Sequence, residues 1–325
     1  MKTVLGVSLF FLVMTGCSQN HSNPPASSSG APAPQTSSEQ AVSIPRFSGS
    51  SAFSYLVKQT SFGPRNPNSS GHEACLAYFM NTLQGLADTV ELQPFVQQGY
   101  GEQLRLTNVF AAFRPTASAR VLFLAHWDTR PRADNDADKR LRDQPILGAN
   151  DGASGVAVLL ELASLLKKSP PPIGIDLLLV DGEDYGKEGD NNLYLLGTRH
   201  FARSMPPGYA PRFAILLDMV GDTFLELPKE QNSIQYAPDI VDLVWSTARN
   251  LGVRQFVDAT GEAIIDDHLP LNDVGIKAID IIDFNYPDQS NRYWHSHDDT
   301  PDHCSAESLE AVGAVITAVT YQQHP

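Results

Sequence analysis

Val121-Leu-Phe-Leu-Ala125 runs directly into His126-Trp-Asp128, five apolar residues followed by an imidazole, an indole and a carboxylate. An apolar run this short, with no polar alternation, fits a strand buried on both faces. The pattern recurs along the chain. Gly155 to Lys167 reads as a helix opened by the small residues Gly152-Ala-Ser154, and Ile175-Asp-Leu-Leu-Leu-Val180 is the next strand, closed by Asp181-Gly182. Thr198 to Arg203 is a short helix, Phe213-Ala-Ile-Leu-Leu217 a strand, Ile240 to Leu251 a helix and Ala278 to Ile282 a final strand. Ser305-Ala-Glu-Ser308 caps a last helix running to about Tyr321. This alternation predicts an α/β fold with a mixed, mainly parallel central sheet and helices on both faces.

Upstream, Ala52 to Lys58 and His72 to Leu86 show helical spacing around the turn-rich Phe62-Gly-Pro-Arg-Asn-Pro67. Val90 to Val96 and Leu106 to Phe113 read as strands joined through Gln98 to Glu102. Further upstream the character changes. The apolar run Val4 to Met14 behind Lys2 is too short to cross a bilayer and reads as a secretory signal. Thr15-Gly16-Cys17 gives residues 1–17 an end like the lipobox of bacterial lipoproteins, in which the Cys is acylated. Residues 18–45, rich in Ser, Pro, Ala, Gln and Asn, cannot bury enough apolar surface to fold and read as a disordered tether. Residues 46–325 are then one catalytic domain, on a chain of 325 residues that is 42% hydrophobic. The expectation is an exported bacterial lipoprotein, periplasmic or membrane-anchored, that meets a membrane only through its lipid anchor. The formal net charge of −14, with no clustered Lys or Arg, argues against nucleic acid. Cys75 and Cys304 remain once Cys17 is assigned to the anchor; an exported compartment permits a disulfide, but two cysteines in one domain are more often apart than within bonding distance.

The polar residues of interest sit just past the carboxyl ends of the strands, the edge at which open α/β sheets bind ligands. His126-Trp-Asp128 follows one strand, Asp181-Gly-Glu-Asp184 the next and Asp218 a third. Asp151, in Gly148-Ala-Asn-Asp-Gly-Ala-Ser154, taken alone reads as a helix N-cap. Its company changes that reading. Glu183 and Asp184 are adjacent acids, and burying both without a cation is costly. One of them can bind a metal while the other, its pKa raised, moves protons. Tyr293-Trp-His-Ser-His-Asp-Asp-Thr-Pro301 supplies imidazoles, and oxygen plus nitrogen donors with an open position fit a catalytic zinc. Ile264-Ile-Asp-Asp-His-Leu-Pro270 carries another acid pair, which as an isolated segment reads as the capped start of a helix.

Together, His126-Trp-Asp128, the Gly148–Ser154 loop, Asp181-Gly-Glu-Asp184, Leu217-Asp218, Asp266-Asp-His-Leu-Pro270 and Trp294-His295 resemble the zinc-dependent glutaminyl cyclases of the animal type, relatives of the co-catalytic zinc aminopeptidases. The resemblance runs from about Phe53 to the C-terminus. It implies one zinc ion held by Asp151, Asp184 and His295, with Glu183 as general acid/base. Asp218 and Asp266 would form the acidic pair that assists it, and Trp294 and Ile264 would wall the substrate side chain. The implied reaction converts the N-terminal glutamine of peptides and proteins to pyroglutamate with loss of ammonia, in a monomer.

There are departures from the animal cyclases. Asp184 stands where they carry Glu, Tyr185 to Asn192 lacks their second Trp, for which Tyr286 is a candidate substitute, and Asp280 replaces a His near the final strand. A polar insertion, Asp288 to Arg292, precedes Trp294. His126 and Asp218 occupy positions where the two-zinc aminopeptidases bind a second metal. The alternative is therefore a zinc aminopeptidase with one or two ions.

Overall fold

The computed structural model describes residues 11–13, 16 and 44–325. The described residues from 44 onward belong to one compact unit. Most of the expected signal segment, including Cys17, and almost all of the expected tether lie outside the described residues. No described helix is long and apolar enough to cross a membrane.

Two helices lead in, α1 (Gly49–Thr60) and α2 (Ser70–Gln84), each opened by a serine, Ser48 and Ser69, whose side chain accepts a backbone N–H. The hairpin β1 (Thr89–Gln98) and β2 (Gln103–Phe113) follows, then β3 (Arg120–His126), α3 (Ala153–Lys168), β4 (Gly174–Val180), α4 (Leu196–Ser204) and β5 (Ala214–Asp218). An excursion of small elements, β6 (Leu227–Lys229), α5 (Gln231–Tyr236), α6 (Pro238–Leu251) and β7 (Phe256–Thr260), precedes α7 (His268–Asp273), β8 (Ala278–Ile282) and α8 (Ala306–Tyr321).

The six-stranded sheet has the order β1-β2-β4-β3-β5-β8. β4, β3, β5 and β8 run parallel, and β2 joins β4 antiparallel, carrying β1 at the edge. The mixed, mainly parallel sheet expected from the sequence is the one observed. Its apolar runs are uninterrupted because both faces are covered. Val121, Phe123 and Ala125 pack with Ile175, Leu177, Ile215 and Leu217 against α1, α3, α6 and α8. Leu122 and Leu124 pack with Leu178, Val180 and Leu216 against Phe201 of α4 and Leu271 of α7. Successive side chains of one strand thus feed two cores, the period of two that a strand imposes.

α3 sits hard on the sheet: a Cβ on Gly155 would lie 2.1 Å from the Leu217 carbonyl oxygen. That contact presses the start of α3, and Asp151 just before it, onto the ends of β3 and β5. Cys75 and Cys304 are both free and buried, so the permitted disulfide does not form.

Candidate active site

The carboxyl ends of the parallel strands converge on one cavity of about 370 Å³. Asp151 enters from the loop before α3, Glu183 and Asp184 from the turn after β4, and Asp218 from the last position of β5. Ile264 and Asp266 come from the segment before α7, and Trp294 and His295 from the loop after β8. All eight residues singled out from the sequence for metal binding, proton transfer and substrate contact line this cavity.

Asp151 is not a helix cap. The cap position of α3 is Gly152, at φ +101° and without a side-chain cap bond. A side chain there would be strained and its Cβ would lie 2.5 Å from the Asp128 carbonyl oxygen. The turn frees the Asp151 carboxylate to face two imidazoles. Its Oδ1 lies 3.1 Å from His126 Nε2 and its Oδ2 3.5 Å from His295 Nε2. His126 Nε2 is also 3.2 Å from Asp218 Oδ1, and His295 Nε2 is 3.3 Å from Asp184 Oδ1. Two donor sets result, Asp151–Asp184–His295 and His126–Asp151–Asp218, with Asp151 common to both.

The first set fits a zinc ion. Its carboxylate oxygens and imidazole nitrogen all lie within 4.8 Å of one another, and Asp184 Oδ2 is buried with no hydrogen-bond partner. An orphaned buried carboxylate oxygen is costly unless a cation meets it. Such a mixed oxygen and nitrogen set suits zinc with an open position.

Burial raises the pKa of Asp151, and the neighbouring Asp184 adds to the rise. Against its own burial, Asp184 is held well below the usual carboxylate range by His295 and Arg130. Arg130 Nη1 donates to Asp184 Oδ1 at 2.5 Å, while its Nη2 reaches Asp134 and the Tyr194 hydroxyl. Glu183 moves the other way: desolvation, and then repulsion from Asp184, push it well above 4.5. The two adjacent acids are thereby driven apart, one kept ionised to bind and one able to hold a proton.

Beyond Glu183 lies a buried acid chain. Asp266 is pushed well up by burial and by Asp218 and Asp267, and Asp280 by burial and by the neighbouring Asp266. Trp294 stacks on His295 with ring centroids 3.7 Å apart, and Phe284 meets Trp294 edge-on at 5.0 Å. His295 and Met219 hold left-handed backbone, at φ +53° and +49°, a conformation side chains other than glycine adopt sparingly outside functional sites.

A model of peptidase family M28 matches residues 108–320. The chain belongs to that family. A glutaminyl cyclase of Bacteroides thetaiotaomicron, solved with N-acetylhistamine, is 41% identical and superposes with a TM-score of 0.83, covering 86% of this chain and all of that one. A Zn-dependent exopeptidase of Parabacteroides distasonis is 38% identical with the same TM-score and the same coverage of both chains. The glutaminyl-peptide cyclotransferase of Bos taurus is 25% identical over 287 residues, 78% of this chain and 76% of its own. The fold of this M28 chain is thus the zinc aminopeptidase-like one.

Several residues that shape the M28 site had no role assigned from the sequence. The Asp128 carboxylate accepts from the backbone N–H groups of Glu183 and Asp184, at 3.0 and 3.4 Å, and so fixes that pair. Asp299 does the same for Asn150 and Asp151, at 2.7 and 3.1 Å. Both acids lie in motifs already conspicuous for charge, but partners 55 and 148 residues away leave no mark in either motif. Asp181 turns away from the cavity onto His72, at 2.9 Å. His297 likewise pairs with Asp136 rather than with a metal ligand. Tyr286 does not replace the missing Trp: it is fully buried, donates its hydroxyl to Asp299, and leaves the wall to Tyr194 and Phe284.

Proposed function

We propose that this M28 chain is a zinc-dependent glutaminyl-peptide cyclotransferase acting on N-terminal glutamine, with Glu183 as its general acid/base. The observation that carries the assignment is geometric: Glu183 stands beside the donor set Asp151, Asp184 and His295 in one cavity that Trp294 and Ile264 also line. Zinc on Asp151, Asp184 and His295 would act as a Lewis acid toward the substrate γ-carbonyl. Glu183 takes a proton from the α-amine, and the amine nitrogen forms a bond to the side-chain carboxamide carbon, Cδ, closing a five-membered ring. The bond from that carbon to the side-chain amide nitrogen then breaks, and Glu183 returns the proton as ammonia leaves. Because nucleophile and electrophile belong to one residue, their positioning by Trp294 and Ile264 supplies much of the rate. Asp218 and Asp266 are assigned to keep Glu183 oriented between the two transfers.

The proposed stoichiometry is one zinc. His126 Nε2 can donate to both Asp151 and Asp218, so the second donor set can satisfy itself with a proton, whereas Asp184 Oδ2 has no partner. The active unit is proposed to be a monomer, exported and held at a membrane by a lipid on Cys17, with residues 18–45 as its tether.

The sharing of Asp151 between two donor sets favours a second reading, a two-zinc aminopeptidase. Purified protein incubated with a glutaminyl dipeptide should release ammonia and form the pyroglutamyl product, with about one zinc per chain by metal analysis. Hydrolysis of leucine anilides with glutaminyl peptides left intact, and about two zinc ions per chain, would establish the rival.

A further inference from the structure

We infer that the Tyr194 hydroxyl is a catalytic hydrogen-bond donor to the carbonyl oxygen of the group under attack, on which charge develops as the nucleophile closes on carbon; the inference takes its substrate from the cyclase reading. Tyr194 lines the same cavity as Glu183, Asp184 and Trp294. Nothing in Asn192-Leu-Tyr-Leu195 marks it in the sequence. The fold brings it back beside the acid pair: the Leu195 N–H donates to the Glu183 carbonyl oxygen at 2.9 Å and the Leu196 N–H to that of Gly182 at 3.2 Å. The segment after Asp184 thus loops out and returns onto the turn it left, with Leu195 in left-handed backbone at φ +58° where it closes. The Tyr194 ring lies against Gly186, where a Cβ would stand 2.0 Å from Tyr194 Cδ2, so a larger residue there would displace the ring.

The hydroxyl accepts one bond and keeps a proton to give. Arg130 Nη2 donates to it at 3.1 Å, while Nη1 of the same guanidinium donates to Asp184 Oδ1 at 2.5 Å. Hydroxyl and carboxylate are therefore held by the two arms of one planar, rigid fork. Among the described residues no group accepts the Tyr194 proton. A bond accepted from a cation draws electron density off the phenol oxygen and makes its O–H a stronger donor. Arg130 is buried and its Nη2 also holds Asp134, so the fork stands ready without substrate and needs no reorganisation when charge appears. An aromatic wall alone would be served by Phe; the hydroxyl tied to a buried guanidinium beside the reacting acids points to chemistry. Attack on the side-chain carboxamide moves an electron pair onto its oxygen. Tyr194 donates a hydrogen bond to that oxygen and retains its proton, and proton transfer stays with Glu183.

The test is Tyr194→Phe in the zinc-loaded full-length enzyme, a change that keeps the ring on Gly186 and leaves Arg130 Nη2 its bond to Asp134. With glutaminyl-alanine amide as substrate, kcat should fall by about 100-fold, the lower end of the range for one lost donor to a developing oxyanion. KM should stay near the wild-type value, because the bond strengthens only in the transition state. Zinc affinity, measured by competition with a chelator, should equal that of the wild type. An unchanged kcat, or a loss carried by KM alone, overturns the inference. So does a fall in kcat that comes with weakened zinc binding, which would make Tyr194 a prop for the Arg130–Asp184 pair. If the wild type forms no pyroglutamate and cleaves leucine anilides, the cyclase reading fails by itself. Amide hydrolysis also places charge on a carbonyl oxygen, so the same comparison on the anilide then decides the donor: a loss in kcat alone supports it, and an unchanged kcat overturns it.

Discussion

At the scale of single residues, the site turns on how two adjacent carboxyls are given opposite characters. Asp184 has His295 and Arg130 within 3.3 Å, whereas Glu183 has a desolvating wall and further acids as neighbours. Glu183→Gln should keep zinc at the wild-type level by metal analysis, since no donor is touched. Ammonia release should fall by about 100- to 10,000-fold, the range for losing a general acid/base. Asp184→Ala and His295→Ala should instead lose the metal. A Glu183→Gln enzyme near the wild-type rate would remove Glu183 from the mechanism. The identity of these residues was legible in the sequence because a parallel sheet sends all its strand ends to one edge, so acids just past those ends had to meet. Which acid is neutralised by which partner was not. Arg130 and His72 reach Asp184 and Asp181 across 54 and 109 residues, and nothing local distinguishes an acid that faces the cavity from one that faces a buried histidine.

At the scale of elements and loops, the donors are held by carboxylates that bind backbone rather than metal. Asp299, its pKa pushed up to about 7 by burial, takes the N–H groups of Asn150 and Asp151 and the Tyr286 hydroxyl. Asp299→Asn would turn an amide NH2 toward one of those N–H groups and loosen the Asp151 loop. Zinc affinity, measured by competition with a chelator, should drop by about 10- to 100-fold, the usual effect of removing a group that orients a ligand. Wild-type affinity in that variant would limit Asp299 to folding. The excursion between β5 and α7 was only partly legible, because elements of 3 to 6 residues, such as β6 and α5, are too short to display a period. It nonetheless positions the cavity wall through Glu230, which caps α5 and accepts the Ile264 N–H at 2.9 Å. Although burial alone would raise it, the His268 ring, 3.5 Å away, and hydrogen bonds from the backbone of Ile264, Ser233 and Asn232 hold Glu230 down at about 2. A carboxyl depressed by folding contributes stability that is present above its unfolded pKa, about 4.3, and is lost as pH falls toward the folded value. Glu230→Gln should therefore lower the thermal midpoint at pH 7, by about 1 kcal/mol of stability for a weakened cap. The difference from wild type should close on acidification toward pH 2.5, and a constant gap across that window would rule out this linkage.

At the scale of the whole molecule, two questions concern what lies outside the fold and what ties it together. The small residues before Cys17 motivate the expectation that Cys17→Ala moves the protein from the membrane to the soluble fraction of lysed cells. Unmutated protein that is soluble without detergent would count against acylation. The zinc donors bear on the fold itself, since Asp151, Asp184 and His295 come from three connections of the sheet: before α3, after β4 and after β8. Without a cation their carboxylates repel, and the orphaned Asp184 oxygen remains desolvated. An ion that binds only the folded chain stabilises it by mass action, about 2.7 kcal/mol when free metal stands at 100 times its dissociation constant. For a domain of this size each kcal/mol corresponds to roughly 2–4 °C. Chelation should therefore lower the thermal midpoint by about 5–10 °C, and added zinc should restore it. Glu183→Gln should respond as the wild type does, because its donors are intact. Asp184→Ala should melt at one temperature with or without chelator. A wild-type midpoint indifferent to chelation would mean that these three loops are held by the protein alone, and that the metal contributes to chemistry without contributing to stability.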